Sequence, residues 1–260
     1  MEEVAVIRYP HPEHVDSTPD AGRHSTAGPA FRSGPDRATP RSSVTSVLHV
    51  RVMAGTGGGP EKTILRSPRY IDSDRYRLAA AYIHPTGDFG IESIRLQGEQ
   101  LDCPLYTIAE SGPCDPRTVW RLYQLCRRLN VNIWHGHDYK SNLIGLMLRR
   151  FWPMKLVNTV HLWTEETRRL VLYRKVDEWC LPRYDHTIAV SQPLAQRCRE
   201  IGVADDRLTY VPNAIEPDVF RRMQTCNETR RELGLPVDAT IIGVVGRLSV
   251  QKGLDQFLPV

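Results

Sequence analysis

The segment His135-Gly136-His137-Asp138-Tyr139-Lys140-Ser141-Asn142 gathers two imidazoles, a carboxylate and an amine between an apolar run and a helical pattern. In an α/β sheet that position is the carboxyl edge, where ligands bind. Histidines at this spacing invite a metal, but His135 and His137 point the same way from an extended strand and no third ligand is evident nearby. No metal is therefore expected, and Asp138 as a helix N-cap is the simpler reading of the carboxylate. His161 also ends a strand-like run, 156–160, either as a ligand group or as a satisfied structural histidine. A second candidate is Gly55-Thr56-Gly57-Gly58-Gly59-Pro60-Glu61. Glycines let backbone N–H groups approach a phosphate at a helix N-terminus. Pro60 breaks both the P-loop spacing and the dinucleotide GxGxxG spacing, which leaves a plain flexible turn as the rival. Pro60 and Glu61 still make a good helix start.

Elements able to position these groups follow from the apolar pattern. Residues 44–53 form a β-rich run, and further strands are expected at 76–83, 103–108, 131–135, 155–160, 186–190, 207–211 and 240–245. Helical spacing recurs at 115–129, 138–150, 165–179, 192–201 and 226–234, with a short helix after the glycines. Such alternation implies βαβ units, parallel pairing and right-handed crossovers, hence a doubly wound, Rossmann-like parallel sheet. Residues 1–43 hold six of the 19 prolines and no apolar period, so they read as a disordered tail. A domain over 44–214, a linker over 215–238 and a second α/β domain opening at 239–260 complete the expected organisation. A lone strand and part of a helix cannot build a core, so the chain reads as a fragment of a longer protein.

Composition narrows the function classes. At 260 residues, 41% hydrophobic and 25% charged, the chain fits an ordinary globular protein rather than a fibrous or wholly disordered one. The net charge, 34 − 30 = +4, gives no argument for nucleic acid, and only five of the 34 cations are Lys. Six cysteines without a CxxC pair argue against a zinc ribbon or redox motif and fit reduced thiols in a cytosolic protein. An acidic N-terminus argues against a signal peptide, and no apolar run approaches the ~18 residues of a membrane span. The expected location is cytoplasmic, with peripheral contact to the inner face of a membrane left open.

Three later segments complete an ordered series: Ile188-Ala189-Val190-Ser191, Tyr210-Val211-Pro212-Asn213-Ala214-Ile215, and Val245-Gly246-Arg247-Leu248-Ser249-Val250-Gln251-Lys252-Gly253-Leu254-Asp255. Taken together over 44–260, the series resembles the group 1 glycosyltransferases, glycosyltransferase family 4, which have the GT-B fold. The resemblance implies two Rossmann-like domains facing across a cleft, the N-terminal one on the acceptor side and the C-terminal one holding the nucleotide sugar. Arg247 and Lys252 would then bind the donor diphosphate, and Gly58 and Gly59 would approach the donor from the opposite wall. Two permanent cations beside a strand-to-helix turn suit the charge that grows on a departing nucleoside diphosphate. His161 matches the histidine near the sugar, and His137, Asp138, Ser191 and Asn213 fall on the acceptor side of the cleft. Ala214 replaces a glycine frequent in the family after the asparagine, which puts a left-handed turn there in doubt.

The activity implied is retaining transfer of a sugar from a UDP- or GDP-linked donor to an acceptor glycan or lipid-linked sugar, with no cofactor, no metal and no nucleic acid. The family's pair of glutamates separated by seven residues does not occur in this sequence, so most of the donor site is missing from it. Two rivals remain: a non-catalytic acceptor- or partner-binding remnant of the same fold, and an unrelated Rossmann protein such as a sugar-nucleotide epimerase.

Overall fold

A computed structural model of the protein describes residues 44–163, 168–217, 219–243, 245 and 253. The expected tail at 1–43 and the two cations Arg247 and Lys252 lie outside the described residues. Among the described residues, seven strands form one parallel sheet in the order β3-β2-β1-β4-β5-β6-β7. They are β1 (Thr45–Val52), β2 (Tyr76–Pro85), β3 (Leu105–Glu110), β4 (Ile133–Gly136), β5 (Lys155–Val160), β6 (His186–Ala189) and β7 (Leu208–Tyr210). Helices α1 (Gly59–Arg66), α2 (Gly90–Gln100), α3 (Pro116–Leu129), α4 (Tyr139–Leu148), α5 (Arg168–Cys180), α6 (Gln192–Glu200) and α7 (Cys226–Glu232) lie between or after them.

The doubly wound sheet expected from the sequence is thus present. Its centre is apolar on both faces because helices cover both, as parallel sheets require. Along β2, Ala79, Ala81 and Ile83 join Leu122 and Leu125 of α3 and Ile144 of α4 in one core. The alternate residues Ala80 and Tyr82 join Ile64 and Leu65 of α1 and Ile94 of α2 in another. Strand order reverses between β1 and β4: the chain winds outward from β1 to β3, then returns to pair β4 against β1. Loops leaving those two strands diverge and open a crevice at that switch point.

Two expectations need correction. Helix α2 was absent from the pattern, because Gly90 and Gly98 interrupt it and only Ile94 and Gly98 are buried. Among the described residues of the expected 240–245 strand, 240–243 and 245 carry no strand ladder, and Ile242 and Val245 are 71% and 98% exposed. A strand needs a partner edge for its N–H and C=O groups and a layer to cover its side chains, and no described residue supplies either there. All six cysteines are free, four of them buried.

Candidate functional site

The crevice at the switch point is a cavity of about 1240 Å³, lined from β1, the glycine loop, α1, the turns after β4 and β5, α5 and the segment after β7. Asp138 builds its floor. As the N-cap of α4, its Oδ1 accepts the N–H groups of Lys140 (3.0 Å) and Ser141 (2.9 Å). Oδ2 accepts the N–H of Val52 at 2.7 Å and so ties the end of β1 to the start of α4. Its carboxylate is therefore committed to the scaffold, the simpler of the two readings the sequence allowed. Burial raises its pKa above the ordinary carboxylate value.

The glycine loop is shaped by its neighbours. Gly57 has φ +74°, and a Cβ there would lie 2.8 Å from Glu61 Cγ, so glycine is required on both counts. Gly59 has no atom within 4 Å of such a Cβ. Gly58 donates its N–H to Glu61 Oε2 at 2.6 Å, so a ligand phosphate would compete with that carboxylate. Glu61, 2% exposed, also pairs with Arg51, which lines the cavity and donates from Nη1 to the backbone oxygen of His137. Asp88 fixes the loop's outer end, accepting the N–H groups of Gly55 and Gly90, both at 2.8 Å.

Four histidines meet beneath this loop. His49 on β1 stands in register with His135 on β4, His137 follows β4, and His161 follows β5. His49 Nδ1 lies 2.9 Å from His137 Nε2, and His137 Nδ1 lies 3.1 Å from His161 Nε2. His135 Nε2 reaches Thr159 Oγ1 at 2.8 Å, and its ring stacks on His137. Burial holds His49 and His161 down to about 4. It holds His135 and His137 well below the ordinary imidazole value, with the neighbouring imidazoles acting in the same direction. All four are neutral near pH 7.

His49 corrects the expectation that His135 and His137 have no third ligand nearby, since ligand atoms of the three lie within 4.8 Å of one another. Neutral imidazole is the right donor for a metal such as zinc. In this structure the facing nitrogens of His49 and His137 lie at hydrogen-bond distance, 2.9 Å.

Asn213 lines the cavity with His137, Asp138 and His161, from three separate stretches of the chain. Ser191 is not on the cavity wall: it caps α6, its Oγ accepting the Leu194 N–H at 3.4 Å. Glu216 draws the segment after β7 toward α1, accepting from Tyr70 Oη at 2.6 Å and pairing with Arg66. Asp177 of α5 is held by Asn142 Nδ2 (2.6 Å) and Trp163 Nε1 (2.9 Å), and burial pushes it up to about 6. Sequence reasoning did not single out His49, Arg51 or Asp177, and it gave Glu61 only a place at a helix start. Their only signal was polarity inside otherwise apolar or helical runs.

Residues 57–219 match the model of Glycosyltransferase Family 4, well over half of the chain. The chain belongs to glycosyltransferase family 4. A D-inositol 3-phosphate glycosyltransferase of Acidothermus cellulolyticus is 28% identical over 131 residues, which cover 46% of this chain and 29% of that relative. An uncharacterized glycosyltransferase of Methanocaldococcus jannaschii is 24% identical over 139 residues, 48% of this chain and 34% of the relative. Among solved structures, sucrose-phosphate synthase of Thermosynechococcus elongatus superposes with a TM-score of 0.59 at 15% identity, covering 83% of this chain and 59% of that one. Anabaena HepE, solved in complex with UDP and glucose, gives a TM-score of 0.55 at 15% identity, covering 73% of this chain and 50% of its own. The family 4 chain therefore shares their fold, and it spans about a third of the curated relatives' length. No helix among the described residues is long and apolar enough to cross a membrane.

Proposed function

We propose that this family 4 chain forms the acceptor-side wall of a retaining glycosyltransferase, which moves a sugar from a UDP- or GDP-linked donor to a hydroxyl of a glycan or lipid-linked acceptor. The observation that carries this reading is the meeting of the glycine loop, His137, His161 and Asn213 at one cavity on the carboxyl edge of the sheet. In this reading 215–238 is a linker and 239–260 opens the donor domain. The glycosidic C1–O bond breaks and its electron pair goes to the diphosphate. The acceptor oxygen then attacks C1 from the same face, and its proton passes to a donor phosphate oxygen. Arg247 and Lys252 stabilise the charge on the leaving group, the task a Mg²⁺ ion performs in other transferases. His161 orients the sugar, and no protein nucleophile takes part. The acceptors fit surface-polysaccharide or glycolipid synthesis at the cytoplasmic face of a membrane.

Titration of the 260-residue chain with UDP-glucose and GDP-mannose, followed by amide and imidazole NMR shifts, tests the reading. Weak, millimolar binding that perturbs Gly58, Gly59 and His161 is expected. Perturbation confined to other residues, none at all, or tighter binding of NAD at the same loop would overturn it.

A further inference from the structure

The histidines contain an arrangement that the transfer reading does not use. His49, His137 and His161 come from β1 and from the turns after β4 and β5, yet their rings form one row. Ring centroids are 5.2 Å apart for the first pair and 5.3 Å for the second, with planes tilted by 23° and 24°. Those separations are what two imidazoles reach when facing nitrogens at 2.9 and 3.1 Å lie close to the line joining the ring centres. Both contacts therefore have the in-line geometry of a good N–H···N hydrogen bond. His135 stands outside the row: its centroid lies 4.6 Å from His49 and 4.5 Å from His137, against their faces, and Thr159 takes its Nε2.

A neutral imidazole carries one hydrogen, so it donates through one nitrogen and accepts through the other. His137 uses both nitrogens. When it donates to His161 it must accept from His49, and when it accepts from His161 it must donate to His49. The three rings thus share one polarity, and reversing any one reverses all. Protonating His137 would make both of its nitrogens donors and end the single polarity of the row, and Arg51, bonded to the His137 carbonyl, adds a positive charge beside it.

We propose that His49, His137 and His161 form a single hydrogen-bonded imidazole row, which couples the tautomer that His161 presents to the cavity to those of His137 and His49. His161 lines the cavity with its Nε2 engaged by His137, so Nδ1 is the nitrogen left to meet a ligand. A fixed tautomer gives that atom one sense, donor or acceptor, and so discriminates between ligand hydroxyl geometries before any ligand binds. His49 and His137 are positioning residues that act through His161. Their importance to sugar transfer rests on the reading of His161 above, whereas the row itself does not.

The experiment reads the row directly in the 260-residue chain with ¹⁵N-labelled histidine. Couplings between ¹⁵N nuclei across the hydrogen bonds are expected for His49–His137 and for His137–His161, with one tautomer at each ring, and absence of either coupling overturns the proposal. His49→Phe, which fills the space without a hydrogen bond, should convert His161 from one tautomer to a mixture. Thr159→Val, which removes only the partner of His135, should leave His161 unchanged. An unaltered His161 in His49→Phe, or an equal change in both variants, also overturns it. Should His49→Phe fail to fold, the couplings in the unaltered protein decide. None of these readings depends on sugar transfer, so failure of the row and failure of the glycosyltransferase reading are separable.

Discussion

Asp138 Oδ2 accepts the backbone N–H of Val52 at 2.7 Å, across 86 positions of sequence. One carboxylate thereby caps α4 and locks the end of β1, the two elements that flank the switch point. Asp138→Ala should lose the cap, about 1 kcal/mol, and leave the Val52 N–H unpaired, about 1–3 kcal/mol more. Asp138→Asn, which keeps one acceptor oxygen, should lose less. Urea unfolding of the two variants checks the order, and equal stability of wild type and Asp138→Ala would remove the scaffold role.

Gly90 begins α2 against the glycine loop, where an added Cβ would lie 2.1 Å from the Gly55 carbonyl carbon. Backbone cannot yield there as a flexible side chain can. Gly90→Ala should cost about 1–3 kcal/mol through overpacking and should displace the 55–59 loop. Gly59→Ala, with open space around it, should leave stability nearly unchanged. Amide shifts of residues 55–59 in both variants test the contrast.

Lys140 of α4 pairs with Glu110 at the end of β3, and both side chains are 10% exposed. Removing one partner strands a charge away from water. Lys140→Met should cost about 3–5 kcal/mol, and adding Glu110→Leu should recover most of it. If the double variant is as unstable as the single, the charges are not the cause.

Acidification should destabilise the fold. His49, at about 4 in the folded protein, has an ordinary value of about 6.5, so the unfolded chain binds more protons between those two values. The stability it contributes is complete above about pH 6.5 and is lost as pH falls through about 4. At pH 5 this one residue should already cost about 2 kcal/mol. His135 and His137 act in the same direction. Asp177, raised to about 6 by burial, acts in the opposite one, favouring the folded state as pH falls below 6. Unfolding free energy measured from pH 7 to 5 should therefore decline, with a shallower slope in His49→Phe. A flat or rising profile would contradict burial of the neutral histidines.

In a transfer assay of a protein that carries a complete donor domain, Lys252→Ala should lower kcat about a hundredfold to a thousandfold and move the donor KM less, because diphosphate charge grows toward the transition state. His161→Ala should also damage transfer, while His135→Ala should mainly cost stability through its lost contact with Thr159. Turnover near wild type in Lys252→Ala would make that residue an ordinary solvated lysine.

The sequence alone determined the parallel sheet. Apolar runs such as 78–83, too continuous for a one-sided strand, alternate with helical spacing, and that local pattern survives without knowledge of any long-range contact. It also located Asp138 and His137 at the carboxyl edge and the glycine loop at a helix start, since these are features of one strand and the turn after it. The family resemblance was legible too, in the order of short motifs. Tertiary structure decided which of these residues meet. His49 looked like one polar residue in an apolar strand, and only the pairing of β1 with β4 set it beside His135 and His137. Ser191 looked equivalent to Asn213, yet α6 takes its hydroxyl for a cap. Gly58 and Gly59 drew notice through the family resemblance, whereas the backbone demands glycine at Gly57 and Gly90, where φ or a close approach leaves no room for a side chain. Strand register and clearance between backbones are set by packing over separations of tens of residues, and local spacing carries no record of them.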